Sequence, residues 1–289
     1  MEISTGVLWG LISMVSWGVA DYLARSYSIQ EGGSRTAFYI RLISLFPPIF
    51  VLALQAYLGQ VHSPIDWPVI WMLGPILGVV MALAYISYYH GLAVGTVSIV
   101  ATVSSAWFAV GVILAFIFLG EVLSIHQAVL VGIITIGIIM LSDMRPSVND
   151  KPSGFIYGLS AMFFLGTATL LFKYLVEASG PMITSIVGSL GSIIVLWLWL
   201  KRTGITLKWP GRRRLHILIA AGLLDVGGVL FFIIGLEKAP IFIVAPVAAA
   251  HPIVTMVLAW IFLKERLSVI QRFGVALTIA GVIVLSAVV

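Results

Sequence analysis

Ile117-Phe118-Leu119-Gly120-Glu121-Val122-Leu123-Ser124 and Ile261-Phe262-Leu263-Lys264-Glu265-Arg266-Leu267-Ser268 agree at six of eight positions. Around them, residues 91–142 align without gaps to residues 235–286, with 22 of 52 positions identical. Apolar composition alone produces matched Leu, Ile and Val. It does not readily produce the matched pairs Glu121/Glu265, Ser124/Ser268 and Gln127/Gln271. The chain is therefore read as one unit written twice. Its first segments match as well: Gly6-Val7-Leu8-Trp9-Gly10 corresponds to Gly154-Phe155-Ile156-Tyr157-Gly158, Gly18 to Gly166 and Arg25 to Lys173. Both GxxxG runs suit close helix approach in lipid.

Working outward, the apolar runs predict ten spans, at about 5–26, 36–58, 67–90, 96–118, 125–142, 154–176, 181–200, 214–236, 240–262 and 268–288. Each is near the length of about 20 residues that a helix needs to cross a bilayer. Strand alternation is absent, which argues against a β-barrel. The expected fold is an all-α integral membrane protein: unit 1 at 6–142, a linker at 143–153 and unit 2 at 154–288. Five spans is an odd number, so the second unit enters the membrane inverted. The first run is read as a permanent helix, not a cleaved leader, for it lacks a basic n-region and a small-residue cleavage site.

Composition agrees. Of 289 residues, 61% are hydrophobic and 9% charged, against about 25% charged in a soluble domain. Such a chain has too little polar surface to cover its core in water, so lipid is its expected surroundings. Cysteine is absent, which excludes disulfides, thiolate metal sites and cysteine nucleophiles. The net charge of +5 is not read as nucleic-acid binding, because the basic residues lie in short loops. Fourteen of the sixteen fall at one set of loop ends, and only Lys173 and Lys238 at the other. Cytoplasmic loops are the basic ones, so both termini are expected outside an inner membrane.

Ionisable residues inside spans are costly and mark function. Asp225 and His251 lie at similar depth and could meet across the cavity, as a proton-coupling or substrate-contacting pair or as a structural clamp, the remaining reading being little contact with the cavity. Trp107 occupies the repeat position of His251, and Met81 that of Asp225. Trp17, Trp107, Tyr85, Tyr88 and Tyr89 are candidate cavity walls, with Ser104, Ser105, Ser185, Ser189, Thr167 and Thr169 as small polar groups or packing residues. Asp21 and Arg25 have the spacing of a helical ion pair. With Arg41 they form a candidate gate, or an interfacial ion cluster. Pro246 and Pro252 are expected to kink their helix. Trp67, Trp71, Trp197, Trp199 and Trp209 fit an interfacial belt. Glu121 and Glu265 read as turn anchors, since Glu preceding Ser is the wrong order for a capping box.

Ala245-Pro246, His251-Pro252, Leu263 to Ser268, Gln271, Gly274 and Gly281 resemble the EamA pattern of the drug/metabolite transporter superfamily, and the resemblance covers nearly the whole chain. It implies ten helices, a central cavity lined mainly by the first four helices of each unit, and alternating access. It also implies a small-molecule substrate, with amino-acid or other metabolite export as the first expectation. Lipid or lipid-linked sugar flipping and multidrug efflux on the same scaffold are the alternatives. His251 replaces an acidic residue common in that pattern. The termini of such proteins are often drawn in the cytoplasm, opposite to the charge count. HExxH, GxGD and Walker motifs are missing, so the expectation is a monomeric non-enzyme without cofactor or metal, using protons at most.

Overall fold

The computed structural model describes residues 2–60, 65–94, 100, 103–141, 153–208, 210–264 and 267–288. Its helices are α1 (Glu2–Glu31), α2 (Gly33–Ser44), α3 (Phe46–Tyr57), α4 (Trp67–Val94), α5 (Trp107–Phe118), α6 (Ile125–Leu141), α7 (Ser153–Arg202), α8 (Arg212–Lys238), α9 (Ile241–Ala249), α10 (His251–Leu263) and α11 (Val269–Val288). No strand occurs among the described residues. Six helical stretches are long and apolar enough to cross a membrane, and three shorter apolar helices accompany them. The chain is a multi-pass membrane protein.

The helices break where the backbone chemistry requires it. The expected spans at 154–176 and 181–200 form one run, α7, turned at Gly180 with φ 74 and ψ 170. Gly32, 148 residues earlier, separates α1 from α2 with φ 90 and ψ 142. Side chains rarely adopt such angles, and glycine does so without a Cβ penalty. The expected span 36–58 is divided at Leu45, just before Pro47 and Pro48. The expected kink around Pro246 and Pro252 falls at Ala250, between α9 and α10. There the ladder tightens to three-residue bonds, Ala250 N to Val247 O at 3.2 Å and Ile253 N to Ala250 O at 3.0 Å. Pro252 has no N–H to continue it.

The turns before α6 and α11 are each closed by a Ser–Gln pair. Ser124 N–H donates to Gln127 Oε1 at 2.9 Å while Gln127 N–H donates to Ser124 Oγ at 3.3 Å. Ser268 and Gln271 repeat this at 2.9 and 3.2 Å. These are capping boxes, in the order Ser-x-x-Gln.

Packing follows the repeat. α1 lies on α8, α9 and α10, α7 lies on α4 and α5, and α6 pairs with α11. A Cβ at Gly18 would sit 2.7 Å from the His251 carbonyl, and one at Gly166 the same distance from the Trp107 carbonyl. His251 and Trp107 are themselves repeat partners, so one backbone-to-backbone approach is made twice. α4 and α7 also cross on glycine: a Cβ at Gly78 would lie 2.5 Å from Gly191 Cα. Every residue of α9 is buried. Helix association in lipid depends on such close packing, because tails are as apolar as the side chains they replace.

Gly18→Leu and Gly166→Leu should therefore each lower the melting temperature in detergent, by the equivalent of about 1–3 kcal/mol. Gly132→Leu, where nothing lies within 4 Å, should leave it unchanged. Equal melting of all three would contradict the packing described.

Candidate functional site

Where the two units meet, a cavity of about 1070 Å³, counting its mouth, is lined by α1, α2, α4, α7, α8 and the segments leading into α5 and α10. Trp17, Asp21, Tyr88, Tyr89, Ser105, Trp107, Asp225 and His251 all face it, together with Tyr85, Ser104 and Thr169. Its lining on α1 and α4 lies in their C-terminal halves, toward the basic loop ends. The opposite end is packed by α9 and by direct ties. The Glu121 carboxylate accepts the Ile241 N–H at 3.0 Å on each oxygen. Tyr174 Oη donates to Phe118 O at 3.0 Å, and Lys173 Nζ donates to Leu236 O.

The ionisable residues pair differently from the expectation. His251 does not partner Asp225. Its Nδ1 lies 3.0 Å from Asp21 Oδ2, although the angle is too bent for a hydrogen bond. Asp225 takes Arg41 instead, Nη1 to Oδ2 at 3.6 Å, and accepts Ser44 Oγ–H at 3.2 Å. Arg41 is 1% exposed and turns to Asp225, while Asp21 turns to His251, so these two members of the candidate gate do not pair with each other. Its Nε donates to Ser192 Oγ at 3.2 Å and its Nη2 to Ser189 Oγ at 3.1 Å, while Nη1 has no hydrogen-bond acceptor. The guanidinium carbon also stands 5.5 Å from the Tyr85 ring centre. The physical reason is direct: a carboxylate in the middle of a bilayer needs a counter-ion there, and Arg41 is held at that depth by two serines one helical turn apart. The side chains of Arg25 and Glu265, and Trp209 as a whole, lie outside the described residues.

Aromatic rings close the inner end. Trp17 meets Trp107 edge-on at 6.3 Å between ring centres, His251 at 6.0 Å and Phe232 at 5.5 Å. The Trp17 indole rests on bare backbone, since a Cβ at Gly228 would come within 2.5 Å of it. Tyr89 stacks with Tyr85 and meets Tyr88 edge-on at 5.3 Å. Pro246 is buried within α9 and Pro252 opens α10, so neither forms the wall. Ser185, Ser189 and Thr167 also fall outside it. Sequence reasoning missed Ser44, Ser189 and Ser192 as ligands of the buried charge pair. The Ser189-x-x-Ser192 spacing opposite Arg41 was the available signal.

Two expectations follow. Arg41→Ala leaves Asp225 uncompensated and should destabilise the protein by about 3–5 kcal/mol, whereas Arg41→Met with Asp225→Leu should recover most of that loss; thermal unfolding of both variants decides it. Glu121 sits in the turn before α6, where burial raises its carboxyl above 4.5 against the opposing pull of the Ile241 and Phe242 N–H groups. A raised carboxyl contributes stability below its unfolded value, and that contribution is lost as pH rises through the folded one. The melting temperature of the protein relative to Glu121→Gln should thus fall as pH rises above about 4.5. A pH-independent difference would count against it.

The comparisons with known proteins agree with this architecture. The EamA-like transporter family model matches residues 4–143 and again 152–287. An uncharacterized protein of Methanocaldococcus jannaschii is 31% identical over 131 residues, which cover 45% of this chain and 94% of that protein. A solved crystal structure superposes with a TM-score of 0.81 at 16% identity, covering 98% of this chain and 96% of that one. It shows a shared fold only. With both halves matched, the chain belongs to the EamA-like transporter family, a membrane transporter of the drug/metabolite type built from two repeats.

Proposed function

We propose that the protein is a secondary transporter that exports small amphipathic metabolites, such as amino acids, by alternating access. The observation that carries this reading is the cavity shared by both repeats, with ionisable and aromatic side chains at mid-membrane depth. Transporter folds built from inverted repeats place their substrate there. The proposal includes ten crossings: the run 153–202 counts as two, divided at Gly180, and the shorter apolar helices are full members. Units 6–142 and 154–288, joined by 143–153, have opposite orientations. The basic ends face the cytoplasm of a cell whose inner membrane holds the protein, and both termini face outward. The working form is a monomer that uses neither cofactor nor metal and performs no catalysis.

Movement of the two units about their shared cavity would expose it to each side in turn. One end of the route is tied between the units by Glu121 to Ile241 and by Tyr174 to Phe118. The other is bridged by Glu31 with Arg214 and by Arg35 Nε to Thr206 O at 2.8 Å. Export would require the two sets of ties to open alternately. Proton coupling falls to Asp21 and His251, the wall pair in which an imidazole meets a carboxylate.

Proteoliposomes loaded with a metabolite mixture test the reading. Efflux above that of protein-free vesicles, abolished by Trp107→Arg in the cavity, is expected. No solute crossing faster than in empty vesicles, at any imposed pH gradient, would sink it. Acceleration by a pH gradient should vanish in Asp21→Asn and His251→Ala. A reporter fused after Val289 should be accessible from outside the cell.

A further inference from the structure

The charges that reach the cavity and the charge that does not are opposite in sign. Among the described residues, Asp21 on α1 and Asp225 on α8 bring carboxylates to the wall. The neighbouring guanidinium does not line it. Arg41 has a side chain only 2% exposed and is held behind Asp225 by Ser189 and Ser192. A solute in the cavity therefore meets carboxylates directly and the cation only through them.

The two carboxylates are not equivalent. Asp225 is 15% exposed and already engaged by Arg41 and Ser44. The Asp21 side chain is 54% exposed, and its partner is an imidazole nitrogen at a bent angle. Among the described side chains, the more exposed and less compensated of the two carboxylates is thus Asp21. The same wall carries Trp17, Trp107, Tyr85, Tyr88 and Tyr89. Aromatic faces carry the negative side of the ring quadrupole, and with a carboxylate they attract ammonium groups. Among the described side chains, an anionic solute finds in the same place two carboxylates and no guanidinium on the wall, which is repulsion built into the site.

Resting on the transport reading above, we propose that the cavity selects organic cations: an ammonium group attached to an apolar or aromatic body. Asp21 is the counter-charge, the tyrosines flank the ammonium, and Trp17, Trp107 and Phe232 receive the body. Within the amphipathic metabolites this singles out amines over acids, and basic over acidic amino acids.

The test is calorimetric titration of the purified full chain with three probes of similar shape. Benzyltrimethylammonium carries the cation, neopentylbenzene is its uncharged carbon isostere, and benzenesulfonate is an anion. The cation should bind at least tenfold more tightly than the isostere, and the anion least. Asp21→Asn should weaken the cation about tenfold, which is about 1.4 kcal/mol, and leave the isostere unchanged. Unchanged isostere binding also shows that the variant is folded. Tyr88→Leu should weaken the cation more than the isostere, as a second measure independent of Asp21. Equal affinity for cation and isostere, preference for the sulfonate, or equal effects of both variants on both probes would overturn the assignment. Vesicles that pass neutral or zwitterionic solutes but not cations would overturn it too, while leaving the transport function standing.

Discussion

Two backbone contacts hold the rest of this structure in place: Gly18 against the His251 carbonyl and Gly166 against that of Trp107. In water, burying apolar surface would draw these helices together. In lipid that drive is nearly absent, and closeness of fit must supply it. A glycine at each crossing lets α1 settle on the start of α10, and α7 on the start of α5, with nothing between the chains. The two crossings put residues 251 and 107 at equivalent places on either side of a common centre. The cavity is what remains between them, because Trp17 and Leu165, also repeat partners by the same 148-residue offset, are too different in size to fill it evenly.

Symmetry makes the frame, and departure from symmetry makes the chemistry. Arg41 and Ser189 are equivalent positions, again 148 residues apart, and here they hydrogen-bond to each other. Ser44 and Ser192 are equivalent too, one serving Asp225 and the other Arg41. A serine quartet of two matched pairs would be bland. Replacing one serine with arginine and Met81's counterpart with Asp225 turns it into a charge pair with its own hydrogen-bond donors and acceptors. A single charged side chain at mid-bilayer costs about 2.5–3.5 kcal/mol on insertion scales, so each charge offsets the cost of the other. They sit on different helices of different units, and their pairing ties α2 to α7 and α8.

How much of this could be read from residues alone depends on which coordinate a feature lives on. Depth in the membrane is legible, since it follows from counting along an apolar run. Depth picks out Asp225, His251, Trp17, Trp107, Tyr88, Tyr89 and Ser105, and the structure adds that these residues line the cavity. Azimuth around each helix is not legible from depth. Asp225 and His251 sit at matching depth yet find separate partners, because α2 brings Arg41 to one and α1 brings Asp21 to the other. The same limit hid the role of Arg41, whose place near the start of a span suggested the interface. The capping boxes differ: Ser124-x-x-Gln127 and Ser268-x-x-Gln271 stand in the sequence beside the more polar Glu121 and Glu265, and the serines, not the glutamates, cap the helices that follow.

Glu121 shows what that residue does instead, and why the turn holds it. Its carboxylate reaches a helix start in the other unit and accepts the Ile241 N–H there, one of the first donors that a helix leaves without a carbonyl of its own. A carboxylate there meets unpaired donors and the positive end of the helix dipole together. α9 needs such an anchor more than any other helix: it is nine residues long, wholly buried, and interrupted at Ala250 by the same prolines that would let it swing. Short helices have few internal bonds to resist displacement. An element that is central, short and hinged at one end must be fixed at its other end, and the bond from Glu121 to Ile241 is where this chain fixes it. The tie that closes the far end of the cavity is thereby made between the units, across the boundary along which they would have to part.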